Sequence, residues 1–299
     1  MKQFLNKRNL ALLAAFGTTA IYGLNHTIAK GVMPHYVQAF GFIMLRVGGA
    51  ALLFWGISLF RPPEKIDRKD WGLMLLASVL GMVINMLSFF KGLSLSTPIN
   101  SAVLVTISPI VVMILSSLYL KERIGWRKVT GIGLGFVGAL GLILFGHEVR
   151  QDAPNIFVGN LLFVVNAVSY GAYLVVAKSL IQKYSPITLM KWLFTMAVII
   201  NFPITIVEFN EIKWAVMPLD VYGAIAFVIL GTTFCTYLFN AFALTTLKAS
   251  SVGAFVYLQP LIGIVYAVAT GKDELSPVKI ISTAAVLLGV YLATAKKKS

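Results

Sequence analysis

The sequence predicts an all-α integral membrane protein with ten transmembrane helices, arranged as two inverted five-helix repeats with both termini in the cytoplasm. Three observations predict this fold. The 299 residues are 58% hydrophobic and 12% charged, and that charged fraction is about half of what soluble domains carry. Apolar runs of about 20 residues, long enough to cross a bilayer, follow one another along the whole chain. The second half then repeats the pattern of the first.

Ten apolar runs, separated by polar residues, glycine and proline, mark the predicted spans. The connections are short, which leaves no room for a soluble domain. The first run follows a basic N-terminus, as in a signal peptide, but its counterpart in the second half favours a membrane helix. The predicted spans are residues 9–30, 36–60, 71–92, 97–119, 127–146, 155–178, 186–207, 219–243, 249–270 and 277–295.

The distribution of lysine and arginine predicts the orientation, because basic connections stay in the cytoplasm. With the N-terminus inside, seventeen of the 25 basic residues fall on inner segments and five on outer segments. The remaining three, Arg46, Lys191 and Lys279, fall within spans. The net charge of +14 is therefore explained by topology and does not indicate a nucleic-acid partner.

An internal repeat divides the chain. The stretch "YGLNHTIAK" at 22–30 matches "YGAYLVVAK" at 170–178, and residues 93–124 align without a gap over residues 244–275, which places Pro109 on Pro260. The predicted repeats are residues 9–146 and 155–295. Because each contains five crossings, the second is inverted relative to the first. Inverted repeats are typical of secondary transporters, whose substrate sites lie near the bilayer midplane between the halves.

The motifs "IYGLNHTIAK", "FIMLRVGGAALLF", "INSAVLVTISPIVVMILSSLYLKERI" and "ASSVGAFVYLQPLIGIVYAVATGKDEL" together resemble the EamA family of the drug/metabolite transporter superfamily. The resemblance covers nearly the whole chain. It implies a ten-helix carrier of the bacterial inner (plasma) membrane, with a central cavity lined by helices one to four and six to nine. The sequence departs from the family pattern in two ways. Tyr22 replaces a frequent tryptophan, and the seventh span has no arginine opposite Arg46.

Arg46 lies about ten residues inside the second span, too deep to reach either interface easily. Arginine keeps its charge in proteins, whereas all eleven acidic residues fall in connections or at helix ends. A carboxylate or phosphate of a substrate fits the bidentate geometry of guanidinium. Two other roles remain open: hydrogen bonds to backbone carbonyls at a kink, and gating through a loop carboxylate.

Polar residues recur at spacings of three and four in several spans, which indicates a shared polar interior. For any one Asn or Thr, the alternative is helix packing through hydrogen bonds. His26 is either a proton switch or a packing residue, and Lys91 is either a cavity cation or an interfacial anchor. With Arg46, the predicted substrate-binding residues are Tyr22, Asn25, His26, Asn85, Ser88, Lys91, Asn166, Tyr170, Tyr173, Asn240, Tyr257 and Gln259.

Two prolines and a row of glycines carry predictions about movement and packing. Pro109 and Pro260 interrupt matching spans and are predicted to be hinges. Five glycines of the fifth span, from Gly131 to Gly141, predict close helix packing.

The main prediction is a secondary transporter, an exporter of a small zwitterionic or anionic metabolite such as an amino acid, working by alternating access. The alternatives are a proton-coupled drug or metabolite efflux carrier of broad specificity, and a channel-like or scaffold protein. An enzyme is not expected, because no span offers a metal-ligand set or a catalytic triad, and neither a cofactor nor a metal is expected. The expected partners are a small-molecule substrate and the lipid bilayer, with the chain a monomer or homodimer.

Overall fold

The computed structural model describes residues 7–120, 125–145, 151–244, 246–247, 255 and 258–294. Within those ranges the chain is helical and has no strand, with about 85% of residues in helices. The helices of the first half are α1 (Lys7–Val32), α2 (Ala39–Ser58), α3 (Trp71–Ser78), α4 (Asn85–Leu95), α5 (Pro98–Leu104), α6 (Ser108–Leu120) and α7 (Trp126–Phe145). Those of the second half are α8 (Ile156–Lys183), α9 (Pro186–Asn210), α10 (Leu219–Ala226), α11 (Thr236–Leu244), α12 (Leu258–Ala269) and α13 (Pro277–Thr294).

Among the described residues, four helical stretches are long and apolar enough to cross a membrane by length and composition. They are Ala39–Ser58, Arg68–Leu95, Ile156–Lys183 and Pro186–Asn210. The helices at the predicted fourth, fifth, eighth, ninth and tenth spans are apolar but shorter within the described residues. The chain is therefore an all-helical protein with several apolar helices of membrane-spanning character.

Helix ends follow from local sequence. Thr97, Asn155 and Ser185 are the N-cap residues of α5, α8 and α9, and each side-chain oxygen accepts a bond from a backbone N–H of the first turn. This bond satisfies one of the donors that a helix start leaves unpaired. After α12 the chain turns at Gly271, whose φ of 63° lies in the left-handed region that glycine adopts without strain.

Two π-helical segments were not predicted. Val79–Ile84 joins α3 to α4, and Phe227–Cys235 joins α10 to α11. The two segments begin 148 residues apart, which is the offset of the first repeat motif. Side-chain hydroxyl groups donate hydrogen bonds to backbone carbonyl oxygens in both segments. The Ser169 hydroxyl donates to Leu80 O at 2.5 Å, and the Thr232 hydroxyl donates to Val228 O. Such segments occur frequently at functional sites.

The closest helix contacts join the first half of the chain to the second. α7 packs along α13 and α2 along α9, while α1 contacts α11 and α12, and α8 contacts α4 and α6. Glycine permits the α7–α13 contact, because a Cβ atom at Gly289 would lie 2.7 Å from Gly131 O. The glycine row of the fifth span therefore packs against the last helix.

A buried ion pair of the second half also accepts a hydrogen bond from the first half. Lys279 Nζ lies 3.0 Å from Asp273 Oδ1, and both side chains are fully buried. Asp273 Oδ2 accepts a hydrogen bond from Ile99 N at the start of α5 at 3.0 Å, and Lys279 also donates to Glu274 O at 2.8 Å. The sequence places Lys279 in the tenth span without indicating this partner. Because each charge is buried, the loss of one leaves the other in a low-dielectric site.

Replacing Gly289 by alanine is expected to destabilise the protein by about 1–3 kcal/mol, because the added methyl group overpacks the α7–α13 contact. Gly133→Ala is the matched control, since a Cβ there meets nothing within 4 Å, and it is expected to be neutral or slightly stabilising. Thermal unfolding of the purified variants in detergent measures both. Equal melting temperatures for the two variants would contradict this account of the packing.

Replacing Lys279 by methionine is expected to destabilise the protein by about 3–5 kcal/mol, because the Asp273 carboxylate stays buried without its ammonium partner. Lys213→Met removes the same charge from an exposed position and is expected to change stability little. Thermal unfolding of both variants gives the comparison. Similar stability of the two variants would show that the buried ion pair does not stabilise the fold.

Candidate functional site

Arg46 faces the inside of the helix bundle. The residue is partly buried on α2, and its guanidinium carbon lies 5.8 Å from the ring centroid of Phe90, which is fully buried on α4. A guanidinium at this distance from an aromatic ring gains a cation–π interaction. The side chain therefore points toward protein and not toward lipid, as a substrate or gating role requires.

His26 connects three helices near this arginine. Its Nδ1 lies 2.8 Å from the Ser101 hydroxyl of α5, and its Nε2 lies 3.4 Å from Nε2 of Gln259 on α12. The two ring nitrogens thus face a hydroxyl group and a side-chain amide, each of which can form a hydrogen bond with an imidazole. The His26 ring also lies 5.6 Å from Phe89, which contacts Phe90 at 5.3 Å. Two phenylalanines thus connect the histidine with Arg46.

Tyrosines from both halves meet one helical turn from His26. The Tyr22 and Thr236 hydroxyl oxygens are 3.2 Å apart, and the Tyr170 and Tyr173 rings are 5.9 Å apart. Tyr22 lies close enough to both for electrostatic interaction. The aligned residues Tyr22 and Tyr170 therefore approach each other from α1 and α8.

The surroundings of Tyr170 and Tyr173 differ. Tyr173 is buried and packs against the π-helical segment, because a Cβ at Gly81 would lie 2.6 Å from its ring. Tyr170 is 41% exposed, although surrounding protein desolvates its hydroxyl. This combination is expected of a side chain that lines space inside the bundle.

Three of the predicted polar residues are used in helix packing. Asn166 Nδ2 donates to Asn85 O at 2.8 Å, and Asn85 Nδ2 donates to Asn166 O at 3.3 Å, which ties α4 to α8. The Ser88 hydroxyl donates to Ile84 O of its own helix. The packing interpretation of single polar residues therefore describes these contacts.

Some buried polar atoms of α1 do not take part in such packing contacts. Within the part of the chain that the structure describes, Asn25 Oδ1 and the hydroxyls of Thr18 and Thr27 have no hydrogen-bond partner. A buried polar atom without a partner is costly. A hydrogen bond to any of these atoms would therefore be stabilising.

Lys91 and Lys30 differ in burial and in their contacts. Lys91 is exposed, with its ammonium 5.7 Å above the Phe40 ring. Lys30 is buried and donates to Leu93 O at 2.7 Å and to Asp152 O at 2.5 Å. Lys30 is one of the five basic residues that the predicted topology places on outer segments, but carbonyl oxygens of the α4–α5 and α7–α8 regions enclose its ammonium group.

The remaining predicted residues belong to the predicted fourth, eighth and ninth spans. Tyr257 and the side chain of Asn240 lie outside the described residues. A 3₁₀ turn, Val105–Ile107, separates α5 from α6 directly before Ser108 and Pro109. Pro260 is buried near the start of α12 as described. The helix of the fourth span is thus interrupted beside Pro109.

Two cavities lie away from the predicted residues. One, of about 580 Å³, lies between the α1–α2 connection and the end of α9, and its lining includes His35, Tyr36, Gln38, Glu208, Asn210 and Glu211. The other, of about 400 Å³, is an apolar groove between α1 and α12. Sequence periodicity did not indicate the first cavity, because its lining comes from connections distant in sequence. It also missed Ser101, Thr236, Phe89 and Phe90, whose roles depend on contacts between helices.

Comparison with known proteins identifies the family. The model of the EamA-like transporter family matches residues 9–144 and 157–295. The "Uncharacterized transporter YyaM" of Bacillus subtilis (strain 168) is 24% identical, over 83% of this chain and 82% of that protein. The "Uncharacterized inner membrane transporter YhbE" of Escherichia coli (strain K12) is 25% identical, over 68% of this chain and 64% of that protein.

A crystal structure has the same fold, with a TM-score of 0.62 and 16% identity over 96% of this chain and 98% of that one. The family match confirms the resemblance seen in the sequence motifs. It supports a transport role for this chain and not catalysis. The chain belongs to the EamA-like transporter family, and it is a multi-pass membrane transporter of a small molecule.

Proposed function

We propose that the protein is a secondary transporter that exports a small zwitterionic or anionic metabolite, such as an amino acid, by alternating access. The observation that carries the proposal is the position of Arg46, inside the bundle against Phe90. Guanidinium binds carboxylates and phosphates in bidentate geometry. Through Phe90 and Phe89, Arg46 adjoins the helices that hold His26, Tyr22 and Gln259. A substrate carboxylate at Arg46 would thus lie beside the ring of Phe90, and the rest of a substrate could extend toward His26 and Tyr22.

The proposed architecture is ten spans in two inverted repeats, residues 9–146 and 155–295, with both termini in the cytoplasm. Three observations support it. α1 contacts α11 as α8 contacts α4. The π-helical segments begin at equivalent repeat positions. The family model matches the chain twice. Inverted repeats place a substrate site between the halves.

The proposed site within this architecture consists of Arg46, Tyr22, Asn25, His26, Tyr170, Tyr173 and Gln259, and the sequence pattern adds Tyr257 and Asn240. The interruption beside Pro109 supports a hinge there. Because Pro260 is the aligned residue of the second repeat, we propose a second hinge at Pro260. Asn85, Asn166 and Ser88 support the helices around the site, and Lys91 is an outer cation. The proposed location is the bacterial inner membrane, where the E. coli relative is named as a transporter, with the chain a monomer or homodimer.

Replacing Arg46 by glutamine is expected to reduce substrate uptake into proteoliposomes about tenfold to a hundredfold, the equivalent of losing a hydrogen bond to a charged group. The substrate is first identified by screening labelled amino acids and related metabolites, with and without a pH gradient. Arg46→Lys keeps the charge but loses the bidentate geometry, and an intermediate loss is expected.

Arg61→Gln is the control, because it removes an arginine from an exposed connection. Folded yield is measured for each variant. If Arg46→Gln loses uptake only in proportion to folded yield, the substrate role is wrong. Uptake of cationic drugs that depends on a pH gradient and on His26 would instead favour a proton-coupled efflux carrier. Ohmic, non-saturating current would indicate a channel.

A further inference from the structure

We infer that α2 and α9 form one rigid unit, clamped at both ends by Glu208 and Glu64, and that these two carboxylates are positioning residues for Arg46. The significance for transport rests on the proposed function. The clamp itself is a property of the fold and is tested separately below.

The first clamp joins the end of α9 to the start of α2. Glu208 Oε2 accepts hydrogen bonds from Phe40 N at 2.5 Å and Gly41 N at 3.0 Å. These N–H groups belong to the first turn of α2, where the helix leaves donors unpaired and its dipole favours a negative charge. A Cβ at Gly41 would lie 2.9 Å from Glu208 O, so the two backbones are also in close contact here.

The second clamp repeats this arrangement at the opposite end. Glu64, six residues after α2 ends, accepts hydrogen bonds from Ser185 N at 3.1 and 3.2 Å. Ser185 is the N-cap residue of α9. Glu208, near the end of α9, thus binds the start of α2, and Glu64, after the end of α2, binds the start of α9. This is the arrangement expected of two antiparallel helices joined at both ends.

Ionisation keeps the second clamp closed at physiological pH. Burial alone would raise the pKa of Glu64, but hydrogen bonds from Thr188 and Ser185 and the nearby Lys191 ammonium lower it below the ordinary value of 4.5. A carboxyl whose pKa is lowered by folding contributes stability above its unfolded pKa and loses it as the pH falls through the folded value. The clamp therefore stays intact above about pH 4.5.

Aromatic contacts fill the interface near the second clamp. Phe54 and Phe194 stack with ring centroids 5.8 Å apart, and the Trp55 indole donates to the Thr195 hydroxyl at 3.0 Å. The Lys191 ammonium lies 4.5 Å from the Trp55 ring centroid. The interface is therefore packed as well as fastened at its ends.

Arg46 lies between the two clamps, five residues after Gly41. Five residues of α-helix advance about 7.5 Å, so the Glu208 contact fixes the depth of Arg46 in the bundle. Opening α2 away from α9 would expose a helix start and a carboxylate together. The conformational change of transport is thus expected to move this pair as one body against the other helices.

Distances between spin labels in proteoliposomes test the clamp without any substrate. In a Cys235→Ala background, Leu52→Cys with Ile199→Cys measures α2 against α9, and Leu52→Cys with Phe136→Cys measures α2 against α7. All three positions are exposed. The α2–α9 pair is expected to give one narrow distance peak at every pH from 5.5 to 8 and with or without the identified substrate. Two peaks, or a substrate-dependent shift, would overturn the inference.

The α2–α7 label pair distinguishes a failure of this inference from a failure of the proposed function. The α2–α7 distance is expected to change between conditions as the transporter alternates. If neither distance changes, the clamp is supported and alternating access is contradicted.

Carboxylate variants test the cause of the rigidity. Combined Glu64→Ala and Glu208→Ala is expected to broaden the α2–α9 peak and to reduce Arg46-dependent uptake. Combined Glu→Gln substitution keeps an acceptor oxygen at each helix start but loses the negative charge, and it is expected to restore both in part. A peak that stays narrow in the alanine variant would show that the carboxylates are not the clamps. If the alanine variant does not fold, the wild-type distances still decide the inference.

Discussion

A hydrocarbon environment gives polar groups no water to bind, so every charge and every helix end within the bundle needs a partner from the protein. The structure meets this constraint repeatedly. Asp273 neutralises Lys279, backbone carbonyls receive the ammonium of Lys30, and Asn85 and Asn166 bind each other's carbonyl oxygens. Glu208 and Glu64 satisfy the starts of α2 and α9. Most of these contacts join the first half of the chain to the second, so the same constraint also holds the halves together.

Hydrophobic periodicity predicted the helices well, because apolar runs and their Pro, Gly and polar boundaries are local features. α7 was expected over 127–146 and extends over Trp126–Phe145, and α9 was expected over 186–207 and extends to Asn210. The π-helical segments were beyond prediction, since they depend on which side chains of neighbouring helices reach the backbone. The burial of Asp273 was missed for a similar reason. Its carboxylate follows a helix in the sequence, yet it binds Ile99, which is 174 residues away.

The residues of the candidate site were also predicted only in part from the sequence. The rarity of an arginine in an apolar run singled out Arg46, and the structure places it against Phe90 inside the bundle. The spacing of Tyr22 and His26 on one face of α1 also agrees with their contacts to other helices. Spacing did not distinguish residues that face the interior from those that pair between helices, as Asn85 and Asn166 do. That distinction depends on the partner helix, and so it requires the three-dimensional contacts.

The proposed transport function requires a water-accessible interior between the two halves. Chemical labelling of a single cysteine at Tyr170, in a Cys235→Ala background, tests it most directly. A membrane-impermeant thiol reagent, supplied to both sides of the membrane, is expected to modify Tyr170→Cys. The same reagent is predicted to leave Leu52→Cys, on the exposed apolar surface of α2, unmodified. Modification of Tyr170→Cys only by a lipid-soluble reagent would contradict the account.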